Sequence, residues 1–246
     1  MDLYIVTGAS RGIGKALADA LAADPRAEVL TLSRTPDAQT GRLRNYEIDL
    51  TASDAVAGVL QRALSECTEA HYDRAVLINN AGVLAPVAPL VECELAQMQA
   101  SLAVNVLAPL VLMQHFIAAT QRLAAARRII NISSGAGKRP IAGWALYCAA
   151  KAALDMASRV AALEAERAGP GLRVCSLAPG VVDTGMQAQL RGASELEFPD
   201  VARFRAMKEE GALRAPAEVA AQIVALIHAD AFENGATHDL REMAPA

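Results

Sequence analysis

The sequence predicts an α/β fold, a doubly wound sheet of seven parallel strands with helices on both faces. Three observations carry that prediction. Apolar runs of strand length alternate with longer alanine-rich stretches of helical period; seven such runs occur; and the first runs into a glycine turn that opens onto a helix. The chain has 246 residues, 53% of them hydrophobic and 20% charged. A compact α/β domain of that length buries roughly 70–75% of the surface its unfolded chain exposes. One globular domain over 1–246 is therefore expected, stable without disulfides or a bound metal.

In chain order, the strand-length apolar runs lie at 3–7, 28–33, 46–50, 75–79, 128–133 and 173–177, with a short last strand at 236–239. The alanine-rich helical stretches lie at 13–23, 53–65, 95–126 in one or two pieces, 145–168 and 216–229. Right-handed crossovers then place these helices on both faces of the sheet. No linker, repeat or low-complexity tract divides the chain. Residues 185–214 differ, with mixed charge, Phe198, Pro199 and little periodicity. A connection that long in a compact domain is usually functional, so it reads as a lid over a substrate site.

Composition excludes several functions. A net charge of −4 offers no basic face for nucleic acid or anionic lipid, which leaves a small molecule as the expected partner. Cys67, Cys93, Cys148 and Cys175 are widely spaced, with no C-x-x-C, as befits free thiols in a reducing compartment. The first apolar stretch, Leu3 to Val6, is too short for a signal peptide, and a cytoplasmic protein is expected. Residues 102–119 are apolar enough to suggest a membrane span, but Asn105, Pro109, Gln114 and His115 interrupt them, and polar groups are costly in hydrocarbon. A helix buried between the sheet and another subunit has the same composition.

The first strand ends in Thr7-Gly8-Ala9-Ser10-Arg11-Gly12-Ile13-Gly14. Glycines there allow positive φ and close approach to a pyrophosphate, and the following helix N-terminus supplies unpaired N–H groups. Strand, turn and helix in that order mark a Rossmann-type dinucleotide site. Nineteen residues beyond Gly14, Ser33 stands where an NAD-binding protein usually places a carboxylate against the ribose 2′-hydroxyl. With no carboxylate to repel a 2′-phosphate, and with Arg34 and Arg11 available to pair with it, NADPH is favoured over NADH.

Tyr147 and Lys151 are four apart in a helical stretch, so phenol and ammonium share a face. A cation within about 4–6 Å favours the phenolate and would bring Tyr147 towards working pH as a general acid or base. A Y-x-x-x-K pair alone is common on helix surfaces. Here Ser134 ends the fifth strand, Asn79-Asn80-Ala81-Gly82 ends the fourth, and Asn105 lies in an apolar helix; the C-terminal ends of parallel strands are where such sheets bind ligands.

Together these segments resemble the short-chain dehydrogenase/reductase family, in its single-domain branch, over essentially the whole chain. The resemblance implies that Tyr147 donates a proton to the carbonyl oxygen, that Ser134 hydrogen-bonds that oxygen, that Lys151 lowers the phenol pKa and holds the nicotinamide ribose, and that Asn105 positions a relay water. It implies cofactor contacts from the glycine turn (Gly8, Ser10, Arg11, Gly12, Ile13, Gly14) and, near the adenosine, from Ser33, Arg34, Asp49 and Leu50. The turn of Asn80, Ala81 and Gly82 and the loop bearing Pro179, Gly180, Val182 and Thr184 would complete the cofactor site. The hydride comes from the nicotinamide itself, and no metal is implied.

Within the family, Gly143 to Ala149, Asp183 to Gln187 and Gly235 to Leu240 are similar to sepiapterin reductases. Leu3 to Gly8, Leu32 to Thr35 and Arg203 to Arg205 are more similar to bacterial benzil reductases. Both groups reduce vicinal dicarbonyls, which implies an NADPH-dependent carbonyl reductase converting one carbonyl of an aryl α-diketone to a hydroxyketone. Trp144 and Met186 would line the substrate pocket. Asp239 matches the aspartate that anchors the pterin in sepiapterin reductases, whereas Gly185 departs from an acidic residue there. The alternatives are a pterin reductase, a simple alcohol dehydrogenase or 3-oxoacyl reductase, and a non-catalytic NADPH sensor, which the complete Ser134, Tyr147, Lys151 and Asn105 set argues against. Small-residue faces at 102–119 and 145–161 suit a homodimer or homotetramer.

Overall fold

The computed structural model describes residues 1–35, 41–67, 71–230 and 232–243. Strands β1 (Asp2–Thr7), β2 (Ala27–Ser33), β3 (Leu43–Glu47), β4 (Tyr72–Asn79), β5 (Ala124–Ile132), β6 (Leu172–Ala178) and β7 (Thr237–Asp239) form one sheet. Their order is β3-β2-β1-β4-β5-β6-β7 and every pairing is parallel, the doubly wound sheet that the alternating pattern predicts.

Strand side chains alternate between faces, and the core divides accordingly. Leu3 and Ile5 of β1 and Leu77 of β4 join the apolar faces of α2 (Ser53–Ser65), α4 (Ala108–Thr120) and α5 (Ala145–Ala168). Tyr4, Val6, Val76 and Ile78 meet α1 (Gly12–Ala22) and α8 (Pro216–Ala229) on the other side. Because both faces are covered, β2 is buried at all seven positions; this is why parallel strands read as continuous apolar runs.

Chain order reverses between β1 and β4, so a crevice opens where crossovers leave for opposite faces. Its edges are stitched together. Thr7 Oγ1 accepts hydrogen bonds from the backbone N–H of Asn80 at 3.0 Å and Ala81 at 2.9 Å, and Asn80 Nδ2 donates to the Thr7 carbonyl at 2.9 Å.

Three expectations need correction. The third strand pairs with β2 over Leu43–Glu47 rather than 46–50; the chain then leaves the sheet, which frees Ile48, Asp49 and Leu50 to line the crevice. The helix expected to reach residue 126 stops at Thr120, and Ala124–Ile132 pairs with β4 instead, tertiary pairing overriding the helical propensity of three alanines. Third, 185–214 is not an irregular loop: it folds into α6 (Gly185–Arg191) and α7 (Val201–Glu209). Leu190, Phe198, Val201 and Phe204 bury against Trp144 in a third apolar cluster. Gly143 is where this segment docks, since a Cβ there would lie 2.3 Å from the Glu197 carbonyl oxygen.

The apolar run 95–120 consists of α3 (Leu95–Leu102), a five-residue π segment (Ala103–Leu107) and α4. Leu95–Thr120 is long and apolar enough to cross a membrane by length and composition; here Ala108, Leu112, Met113 and Phe116 are packed into the core.

Candidate active site

The glycine turn is shaped by what lies against it. Gly8 has φ +69° and Gly12 φ +58°, left-handed values that disfavour a side chain. A Cβ on Gly8 would sit 2.9 Å from the Ala81 Cα, and one on Gly14 would sit 2.3 Å from the Gly8 carbonyl oxygen and 2.4 Å from Asn80 Nδ2. The bare backbone thus lets α1 start directly beneath the turn. No acidic residue occupies the first turn of α1 and no side chain caps it, so its N–H groups and partial positive charge face the crevice, as a pyrophosphate requires.

At the adenosine end, Ser33 is buried at the tip of β2. Ser10, Arg11, Arg34 and Thr35 line a side cavity of about 400 Å³. Asp49 accepts hydrogen bonds from the Thr51 N–H and hydroxyl, both at 2.9 Å. Those bonds hold its carboxyl below the usual range, with the nearby Arg34 charge adding to the effect.

At the far end, α5 carries Tyr147 and Lys151, both buried, with Lys151 Nζ 5.6 Å from the centre of the phenol ring. Nζ donates to the Ile132 carbonyl at the end of β5 at 2.8 Å. Ser134 acts on the phenol by lowering its pKa and opens a tight 3-10 turn, Gly135–Gly137, by accepting from the Ala136 N–H at 3.2 Å. The fully buried Asn105 sits in the π segment, a helix irregularity frequent at functional sites. Its amide clasps Val83, accepting from the N–H at 3.0 Å and donating to the carbonyl at 2.8 Å. A Cβ on Gly82 would be 3.1 Å from Asn105 Oδ1 and 3.7 Å from Lys151 Nζ; the absent side chain leaves a gap between amide and ammonium.

The titration behaviour corrects one expectation. Burial pushes the Tyr147 phenol up to about 12, with the Ser134 hydrogen bond opposing, and holds the Lys151 ammonium down to about 8, with Asp155 opposing. Burial therefore outweighs the one group that lowers the phenol, Ser134, and Lys151 is not among the groups acting on it. The reason is that both groups lose water together, while Nζ is bonded to the Ile132 carbonyl and not to the phenol. Tyr147 is a protonated acid at neutral pH, which suits proton donation.

These elements share one cavity of about 770 Å³. Ser134, Tyr147, Lys151 and Trp144 line it, as do Gly8, Ser10, Arg11, Gly12, Ile13, Ser33, Arg34, Asp49, Leu50, Asn80, Ala81, Gly82, Pro179, Gly180, Val182, Thr184 and Met186. Three predicted residues are off its wall. Gly14 lies beneath the turn, Asn105 sits behind Val83 with its amide bonded to that residue's backbone, and Asp239 is taken up by Arg241, whose N–H, Nε and guanidinium NH2 donate to it at 3.0, 2.9 and 2.5 Å. Trp144 has both roles that its position allowed: it lines the cavity and stacks on Phe198 with ring centres 4.9 Å apart. Sequence reasoning missed Leu84, Arg139, Ile141, Asp200 and Met207, all on the wall. None sits in a motif, and only chain folding brings them there. It also missed Asp155, whose signal was available: it continues the spacing of Tyr147 and Lys151 by one more helical turn.

Comparison with known proteins matches residues 3–195 to the short chain dehydrogenase family model. The chain is 37% identical over 243 residues to the benzil reductase ((S)-benzoin forming) of Bacillus subtilis, covering 98% of this chain and 99% of that one. It is 34% identical over 257 residues to the sepiapterin reductase of Rattus norvegicus, covering 97% and 96%. Among solved structures, a putative NAD(P)-dependent gluconate 5-dehydrogenase from Beutenbergia cavernae with bound NADP superposes with a TM-score of 0.79 at 28% identity, covering 97% and 94%.

Proposed function

Since the chain belongs to the short chain dehydrogenase family, we propose that it is an NADPH-dependent reductase of one carbonyl of an α-diketone, with aryl diketones of the benzil type as its substrate class. The observation that carries this reading is the convergence of the Ser134 hydroxyl and the protonated Tyr147 phenol on one cavity wall, beside a glycine cradle that a Cβ would fill. A bound reduced nicotinamide supplies the hydride to the carbonyl carbon. Tyr147 gives its phenolic proton to the carbonyl oxygen while Ser134 donates a hydrogen bond to that oxygen. Lys151 would hold the ribose end of the cofactor, and the gap that Gly82 leaves between Asn105 and Lys151 is the route for a new proton to Tyr147. The product is a hydroxyketone.

The wall beside Tyr147, whose ring meets Trp144 edge-on with centres 5.4 Å apart, favours an aromatic substrate. Trp144, Phe204, Met186 and Met207 line it, and Phe204 tilts against Trp144 with ring centres 5.8 Å apart; such surfaces stack on aryl groups. The α6–α7 segment supplies much of this wall and acts as the lid. A pterin reading needs Asp239 free for the ligand, whereas Arg241 holds it off the cavity wall. Preference for NADPH is supported by Ser33 in place of a carboxylate and by Arg11 and Arg34 around the side cavity. A second copy of the chain would cover the exposed Leu102, Leu107 and Leu110 and, on the neighbouring α5, Met156, Val160 and Leu163, so a homodimer or homotetramer belongs to the proposal.

The test is NADPH consumption on benzil and 1-phenyl-1,2-propanedione against a monoketone, a 3-oxoacyl thioester and sepiapterin, with chiral analysis of the product. Diketone rates at least about tenfold above the others are expected, as a specificity pocket can supply. Equal or faster turnover of the monoketone or thioester, or a preference for NADH, would overturn it.

A further inference from the structure

Asp155 is buried on α5, and neither of its carboxylate oxygens has a hydrogen-bond donor among the described residues. A carboxylate is not kept out of water for packing, since removing it from solvent without donors or an opposite charge is costly. Its surroundings give it an occupation. One helical turn before it stands Lys151, also buried. Across from it lies Gly137, where a Cβ would sit 2.7 Å from Asp155 Oδ2, 3.1 Å from the Lys151 carbonyl carbon and 3.2 Å from the Ala152 nitrogen. Gly137 ends the 3-10 turn that Ser134 opens. The carboxylate therefore touches the turn carrying Ser134 from the helix carrying Tyr147 and Lys151.

We propose that Asp155 is a positioning residue of the site, the buried counter-charge that keeps Lys151 an ammonium and the stop against which the Ser134 turn seats. This rests on the reductase reading for its purpose but not for its measurement. The other charged or titratable groups facing Lys151 are few. On α5 there are Tyr147, a neutral phenol near pH 7, and the half-buried thiol of Cys148, which faces the Arg139 carbonyl at 3.7 Å. α3 and the π segment carry none. Just past the Ser134 turn, Lys138 and Arg139 are exposed, with Lys138 Nζ donating to the Thr237 carbonyl. On β6, Arg173 pairs with Asp230 and Cys175 is kept a neutral thiol by burial. On β5, Arg128 pairs with Asp230, and Arg127 donates to the Ile117 carbonyl. Among these, Asp155 is the buried acidic group. Its charge opposes the desolvation that draws the Lys151 proton off, and an uncompensated ammonium at that depth would lose it earlier still.

The experiment compares wild type, Asp155→Asn and Asp155→Glu as full chains, following unfolding midpoint against pH without cofactor and the pH profile of diketone reduction with it. In Asp155→Asn the rise in midpoint that accompanies loss of the Lys151 proton should begin about one pH unit lower. The alkaline limb of kcat/KM should move down with it, while Asp155→Glu, which keeps the charge, should restore both positions. A purely structural carboxylate would change the midpoint equally at every pH, and that result overturns the proposal. If Asp155→Asn does not fold, the same substitution is made on Lys151→Met. There, with no ammonium to balance, losing the carboxylate should raise the midpoint, and a fall overturns the proposal. Absence of diketone turnover in wild type would sink the substrate reading while the midpoint curves still decide the role of Asp155.

Discussion

Replacing Lys151 by Met should make the protein more stable while removing its activity. The ammonium is buried and its pKa lies at about 8 rather than 10.5, chiefly through desolvation. At 1.36 kcal/mol per pKa unit, that difference corresponds to about 3 kcal/mol of folding free energy lost to keeping the lysine charged. Methionine fills a similar volume with no charge. It also leaves the Ile132 carbonyl without the Nζ donor seen at 2.8 Å, which costs about 1–2 kcal/mol for a buried acceptor. A net gain of about 1–2 kcal/mol is expected at pH 7. Its pH dependence is the sharper test. Below the folded pKa of about 8 the lysine is charged in both states and wild type carries the whole penalty. Between there and 10.5 the folded lysine has lost its proton and the unfolded one has not, so wild-type stability climbs with pH relative to the variant. Above 10.5 both are neutral, the penalty is gone and only the lost hydrogen bond remains. Urea midpoints at unchanged m, taken from about pH 6 to 10, measure this difference. A variant less stable throughout, or a difference flat with pH, would refute the reasoning.

Tyr147→Phe removes the proton donor and should lower kcat by about 10²–10⁴ while leaving NADPH affinity within about twofold; steady-state rates with nucleotide titration check it, and retained turnover contradicts the assigned role. Gly14→Ala forces a Cβ to within 2.4 Å of both the Gly8 carbonyl oxygen and Asn80 Nδ2, so a loss of about 2 kcal/mol or more in stability and weakened nucleotide binding are expected from thermal unfolding and binding titration. Ser33→Asp puts a carboxylate beside the cavity that Arg11 and Arg34 line, and the ratio of kcat/KM for NADPH over NADH should fall about tenfold or more. Asp239→Ala removes a largely buried carboxylate from its pair with the half-exposed Arg241, off the cavity wall, and should change diketone kcat/KM by less than about threefold; a loss of a hundredfold would return Asp239 to the substrate site.

Most of the fold was legible because its determinants are local. Continuous apolar runs mean strands covered on both faces, and the glycine turn names its own geometry: each of Gly8, Gly12 and Gly14 is explained by a left-handed φ or a backbone contact. The Tyr147–Lys151 face was equally legible, since four residues make one helical turn whatever the helix packs on. Boundaries failed where neighbours decide. Ala124 to Ala126 favour helix by themselves and become strand because Tyr72 to Arg74 lie alongside. The α6–α7 segment looked irregular because its short helices are held by Leu190, Phe198 and Phe204 reaching Trp144, and no helical period in the segment announces that.

Electrostatics was the part least available to sequence reading, and the reason is physical. Spacing shows that a phenol and an ammonium can meet, but which of them yields depends on how far each is buried and what else each touches. Here burial raises one and lowers the other, opposite to the mutual stabilisation that proximity alone suggests. Burial draws the Lys151 proton off, a carboxylate one turn beyond opposes that, and a carbonyl at the strand end takes the Nζ hydrogen bond. Neither partner belongs to the Y-x-x-x-K pattern. The pattern marks where a phenol and an ammonium come together; the groups just outside it decide how each titrates.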